Sequence, residues 1–209
     1  MLSSLSDYTQ ANIIDDMITN IEGGYVDDPS DSGGATNMGI TQAEANKHAA
    51  YLKATYGWDG TMQNLTQPMA TYCYVQDYWN AMSLDGVLAA DTYTPLLADL
   101  LFEAGVNLGT STVSQYFQQS LNVLNNQGAL YSDITVDGNL GPGSVKALQS
   151  LVQAIPSTGL PNLLFMVSAL IGARYISIAL GNASQERFES GWENRARGKY
   201  NSYVPLLSN

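Results

Sequence analysis

Apolar positions outline the chain. Ile13, Met17 and Ile21 recur at the spacing of one helix face, with Ile14 and Ile18 beside them. This predicts an amphipathic helix over 7–21, with Ser6 as its N-cap and Asp7 in the positive first turn. Gly23 then supplies a left-handed stop, so Glu22 takes the last helical position. Residues 25–40 lose the period. Pro29 and the Gly33-Gly34 pair break any helix there, and a short hairpin or irregular loop is expected. Thr41 and Glu44 have capping-box spacing, which starts a second helix ending near Gly57. A third, from about Pro68, carries Tyr72, Val75, Tyr78 and Trp79.

Residues 85–94 read as a loop. Pro95 fits the first position of a fourth helix, which turns Leu97, Leu100, Leu101 and Ala104 inward. A fifth spans 112–125 through Val113, Phe117 and Leu121. Turn residues at 137–143 precede a helix over 144–153. The run 160–180 is apolar enough to raise a membrane span. Pro161, Asn162 and Arg174 interrupt it, and an arginine deep in lipid is expensive. The expectation is a buried central helix with Arg174 paired, and no membrane span. Residues 188–195 are expected to be helical and to pack by their aromatics. The pattern predicts a mainly α fold with a small β-hairpin or loop insertion.

Composition narrows what such a fold does. The chain has 209 residues, 45% hydrophobic and 13% charged, which is enough to bury a real core. Net charge is −11. Eight Lys and Arg cannot readily track phosphates, and anionic lipid repels the chain as well. A single cysteine, Cys73, allows no intrachain disulfide. A single histidine, His48, excludes a three-histidine zinc site. Both fall in helical stretches without an evident partner and read as structural. The first twenty residues carry no Lys or Arg and no unbroken apolar core, so no N-terminal signal is expected.

The chemistry concentrates in residues 21–41. Glu22 at a helix C-terminus faces the negative end of the helix dipole, and burial against Ile18, Ile21 and Tyr25 would raise its pKa further. A carboxyl kept protonated is a general acid, able to donate to the leaving oxygen of a glycosidic bond. The competing reading is a solvated helix-end residue. Asp31 lies beyond the turn, where a folded-back loop would set it across a cleft from Glu22; Asp27 and Asp28 compete for that place. Carboxyls about 6.5–9.5 Å apart admit an attacking water and invert, whereas about 5–5.5 Å gives retention. Aspartates also favour turns for their own sake. Thr36 and Thr41 could each position a water, with Thr41 doubling as an N-cap. The run from Asp28 to Gly33 faintly resembles a calcium loop, but the twelfth position is Gly39, which rejects it. No metal or other cofactor is implied.

Glu22-Gly23-Gly24-Tyr25, Asp28-Pro29, Gly33-Gly34-Ala35-Thr36-Asn37 and Gly39-Ile40-Thr41 together resemble the signature of glycoside hydrolase family 108, N-acetylmuramidases of phages and bacteria that cut peptidoglycan. Leu65-Thr66 and Tyr78-Trp79 are similar to that family too. Phe102-Glu103-Ala104-Gly105-Val106-Asn107-Leu108-Gly109, Asp137-Gly138 with Gly141-Pro142, and Gly191-Trp192-Glu193-Asn194-Arg195 resemble its C-terminal predicted peptidoglycan-binding region.

The resemblance implies a lysozyme-like helical fold whose hairpin or loop insertion carries the active site. It implies a catalytic region over 1–92 and a peptidoglycan-binding-like region over 93–209, packed as one globule. Glu22 would be the catalytic acid, and the Glu22, Asp31, Thr36 spacing is similar to the Glu, Asp and Thr of phage lysozymes. Tyr25, Tyr78, Trp79 and Asn107 are candidate substrate contacts, since aromatic faces suit sugar rings and an amide can bond an acetamido group. The expected reaction is hydrolysis of the β-1,4 bond between N-acetylmuramic acid and N-acetylglucosamine, in a phage endolysin or wall-remodelling enzyme. An endolysin made in the host cytoplasm without a signal would reach the wall with a holin as partner. The alternatives are a lytic transglycosylase using Glu22 alone, and a non-catalytic peptidoglycan-binding or virion structural module. Many wall hydrolases are basic, and this chain is acidic.

Overall fold

The computed structural model describes residues 2–21, 24–27, 34–182 and 189–207, with only the backbone at 20–21 and 189–197. The fold is mainly α with one small antiparallel hairpin, as the pattern predicts. It divides into two compact units, Met1–Asn80 and Ala81–Asn209.

The first unit opens with a 3-10 turn, Leu5–Asp7, then α1 (Gln10–Asp16). The helix starts later than Ser6 predicts, because the Asp7 carboxylate accepts the Ser3 and Ser4 N–H groups at 3.0 and 2.8 Å and closes a separate turn. Thr9 caps α1 instead, its hydroxyl accepting the Asn12 N–H at 3.3 Å. Ile13, Ile14, Met17 and Ile18 are buried on the expected face. At Met17 the chain passes into a π-helical turn, Met17–Ile21. Strands β1 (Thr36–Asn37) and β2 (Ile40–Thr41) pair as Thr36 with Thr41 and Asn37 with Ile40. Met38 and Gly39, with φ of 51° and 75°, make the two-residue turn between them, and glycine fits that left-handed position.

The second predicted helix is two helices, α2 (Gln42–Lys47) and α3 (Ala49–Tyr56). They break at His48, whose φ and ψ of −106° and 7° leave the helical region. Its Nε2 lies 2.8 Å from Asp77 Oδ1, so the histidine has a partner the sequence did not reveal. Gly57, at φ 72°, is the expected left-handed stop. Next comes α4 (Gln67–Tyr74), which runs into a second π-helical turn, Val75–Trp79.

The second unit contains α5 (Leu84–Leu88), α6 (Thr94–Leu108), α7 (Thr110–Leu124), α8 (Pro142–Ala154), α9 (Gly159–Gly181) and α10 (Glu189–Leu207). A short helix therefore replaces the first part of the loop expected at 85–94, and 89–93 remain non-helical. Leu84 and Val87, one turn apart, both reach the core, and Gly86 lets α5 approach Val145 of α8. In α6, Leu97, Leu100, Leu101 and Ala104 are buried as predicted. Side-chain amides tie the segment between α7 and α8 to α7: Asn122 exchanges two hydrogen bonds with the Ile134 backbone, at 2.8 and 2.9 Å. Gln118 receives the Gly138 N–H at 3.0 Å and donates to Asp137 Oδ1 at 2.8 Å. Gly138 has φ 75°, and a Cβ there would lie 2.3 Å from Ser111 Oγ.

The α9 helix buries one face only. Leu163, Leu164, Val167, Ile171 and Tyr175 point inward, whereas Phe165, Ile176 and Leu180 are exposed. Its most apolar stretch has a mean hydropathy of 2.0 and is 33% buried. Arg174 lies on the exposed side rather than in a buried pair, because the helix is apolar on nearly all sides and its neighbours cover only one. Length and composition alone would let α9 cross a membrane, and it is the one helix among the described residues of which that holds.

Candidate active site

The hairpin of the first unit has a third partner. Val26 forms an antiparallel bridge with Thr36, its N–H donating to Thr36 O at 2.8 Å and Thr36 N–H returning to Val26 O at 2.7 Å. Val26 and Thr36 therefore face each other on either side of a segment of which residues 28–33 lie outside the described residues. Glu22 and Asp31, the two foremost catalytic candidates, lie outside the described residues, as does Asp28, a competitor of Asp31. Asp27, the other competitor, is exposed, and its Oδ2 accepts the Tyr25 hydroxyl at 3.3 Å.

Three buried or half-buried contacts hold the hairpin. Asn37 is buried and donates to Met62 O at 2.8 Å. The Tyr74 hydroxyl donates to Met38 O at 3.0 Å, fixing the turn from the α4 side. Glu44 completes the predicted capping box: its N–H reaches Thr41 Oγ1 at 3.2 Å, and its Oε2 accepts the Thr41 N–H at 2.9 Å and hydroxyl at 2.8 Å. Its other oxygen accepts the Tyr78 hydroxyl.

The described candidates are distributed as follows. Thr36 is bridged to Val26 and half-buried, while Tyr25, one residue before Val26, is 39% exposed and has no contact with Thr36 among those described. Tyr78 joins the same hairpin through Glu44. Trp79 is fully buried and packs as core. Asn107 belongs to the second unit, at the end of α6, where its Nδ2 donates to Glu103 O at 2.8 Å. Cys73 is fully enclosed, and burial pushes its thiol up to about 12, which suits a structural residue rather than a nucleophile. Among the described residues no three His, Cys, Asp or Glu side chains gather as a metal site would require.

Sequence reasoning did not anticipate the π-helical turn that ends at Ile21, directly before Glu22. Such turns insert an extra residue and recur at functional sites. No Gly or Pro marks this one. Glu44 was legible as a cap, but its bond to Tyr78, 34 residues away, was not.

Residues 16–109 match the glycosyl hydrolase 108 family. Residues 112–197 match a predicted peptidoglycan domain. The seam between the two matches falls at Gly109, where φ of 88° separates α6 from α7. No curated protein matches the chain. Among solved structures, that of Brucella abortus SagA is similar, with a TM-score of 0.60 and 21% identity over 96% of this chain and 98% of that one. Identity at that level carries the fold alone.

Proposed function

We propose that this chain, whose residues 16–109 match the glycosyl hydrolase 108 family and whose residues 112–197 match a predicted peptidoglycan domain, is an N-acetylmuramidase of the endolysin type. The coarser statement, a peptidoglycan hydrolase, follows from the two matched families. The finer one assigns the bond: the β-1,4 linkage between N-acetylmuramic acid and N-acetylglucosamine. What supports placing the cut in this unit is the built hairpin around Thr36, which lies within the residues that match the family. Its backbone is bridged to Val26, its strand partner Thr41 is capped onto Glu44, and its turn is held by Tyr74. Catalytic groups need such rigid support to keep their reacting geometry.

In this reading Glu22, following the π-helical turn, protonates the leaving oxygen. Asp31, in the segment whose ends the bridge joins, assists the water or stabilises the positive charge on the sugar. Thr36 orients that water, and Tyr25, exposed next to the bridged Val26, offers its ring to a sugar. Tyr78 acts through Glu44 as a support for the hairpin.

The test is wall lysis by Glu22→Gln. Glutamine keeps the shape and lacks the transferable proton, so turnover should fall by about a hundredfold or more with the fold intact. Wild-type-like lysis by the folded variant sinks the assignment. Product mass gives a separate check: hydrolysis adds one water per cut, and products lacking it would make the enzyme a lytic transglycosylase.

A further inference from the structure

Tyrosine is abundant in this chain, and one group of tyrosines stacks on itself rather than joining the described hairpin contacts. On α3 and α4, Tyr51 stacks on Tyr72 with ring centroids 4.0 Å apart and planes within 13°. Tyr56 meets Tyr51 edge-on at 6.2 Å and 71°. His48 meets Tyr72 edge-on at 5.4 Å, and the His48–Asp77 contact fixes that imidazole in turn. The rings are thus held in one arrangement, yet Tyr51 is 44% exposed and Tyr56 39%. Exposed aromatic clusters of this kind mark recognition surfaces more often than isolated apolar residues do.

Charge makes the cluster specific. Within Met1–Asn80 there are ten Asp and Glu, no Arg and two Lys, Lys47 and Lys53. One lysine neighbours the cluster directly and the other reaches it through Asp77 and His48. Lys53 lies on α3 one turn before Tyr56, the spacing that makes helix neighbours. Lys47 pairs with Asp77 at 3.7 Å and stays 61% exposed. Of the two cations of an otherwise acidic unit, one therefore adjoins an exposed ring and the other is tied to the cluster's histidine through Asp77.

We infer that Tyr51, Tyr56 and Tyr72, with Lys53 and Lys47, form a second glycan-binding surface, distinct from the hairpin site, for a sugar strand bearing carboxylates. The rings take the apolar face of a pyranose, and the lysines take carboxylates on its substituents. Wall peptidoglycan has both features: N-acyl sugars and peptide stems ending in carboxylates. The choice of that polymer rests on the proposed function. A hydrolase of an insoluble polymer gains from a contact that holds the strand without taking part in the cut.

The experiment measures binding and cutting separately on the full chain. Cosedimentation with purified wall peptidoglycan uses the Glu22→Gln background to prevent turnover, and cutting is followed on short soluble fragments of the same glycan. Tyr51→Ala and Tyr56→Ala should each weaken cosedimentation by about fivefold, the effect of removing one significant contact. Turnover on short fragments should stay unchanged in the active background, and Tyr51→Phe should retain binding. Lys53→Glu, at an exposed position, should weaken binding to intact peptidoglycan but not to glycan stripped of its peptide stems. Unchanged cosedimentation by the folded Tyr51→Ala/Tyr56→Ala double variant overturns the surface. Equal loss for Lys53→Glu on stripped and intact glycan overturns the carboxylate part. If the wild-type chain binds walls through these residues but never cuts them, the muramidase reading fails and this surface stands.

Discussion

Cys73 illustrates how a single buried side chain couples this fold to pH. Its thiol is fully enclosed, and burial, with a smaller contribution from Asp77, raises its pKa from 9.0 to about 12. The unfolded thiol ionises first, so between about pH 9 and 12 the folded state holds the extra proton and stability falls as pH rises. Burial raises Tyr131 from 10.0 to about 12, with Asp133 adding to it, and acts in the same direction. Denaturant unfolding at rising alkaline pH should therefore show a progressive loss, less steep in Cys73→Ala. An equal slope in wild type and variant would contradict this. The same burial should protect Cys73 from thiol alkylation until the chain unfolds. At this scale the sequence was legible where partners are local. The Thr41–Glu44 box and the Gly57 stop are built from residues within one turn of the helix end. The His48–Asp77 contact, 29 residues apart, leaves no local pattern, and His48 consequently read as unpartnered.

Among the elements, α6 and α10 share the least visible feature of the chain. Asp99 and Glu103 are one turn apart on α6 and both buried. Lys199 of α10 donates to the two Asp99 oxygens at 2.9 and 2.8 Å and pairs with Glu103 at 3.0 Å, and the Tyr203 hydroxyl donates to Asp99 at 2.7 Å. Burial alone would lower the Lys199 pKa, but the two carboxylates outweigh it, and the net shift is upward. The stability this adds is fully present below the unfolded lysine value of 10.5 and is lost as pH rises through the higher folded value. Lys199→Met should strip two buried carboxylates of this cation and destabilise the second unit by about 3–5 kcal/mol, read as a lower denaturation midpoint. A change below about 1 kcal/mol, the range of an exposed pair, would show that the cluster contributes little.

Helices were legible wherever the apolar period was strong, as in α6 and α7. The α2–α3 break and the two π-helical turns were not, because no Pro or Gly marks them and the sequence period barely changes across one added residue. The α9 helix was misjudged for a related reason. Its apolar residues run almost continuously around the helix, so periodicity could not say which face is covered.

For the molecule as a whole, charge and proposed substrate pull in opposite directions. A net charge of −11 repels a wall that carries carboxylates, yet the proposed glycan surface places Lys47 and Lys53 in contact with them. The two effects differ in range. Whole-chain repulsion acts over tens of ångströms at low salt and is screened at a Debye length of about 8–10 Å in roughly 0.10–0.15 M salt. A lysine–carboxylate contact acts over a few ångströms and loses less. Raising salt from about 0.01 to 0.15 M should therefore speed lysis of purified walls, the reverse of a basic enzyme drawn to an anionic polymer by long-range attraction. Turbidity loss at fixed enzyme and wall concentration measures it. Lys53→Glu should keep the salt acceleration while starting from a lower rate, because the variant removes the contact and deepens the repulsion. A rate that falls steadily with salt in the wild-type chain would mean that attraction at the cationic patch, rather than the net charge, governs the encounter.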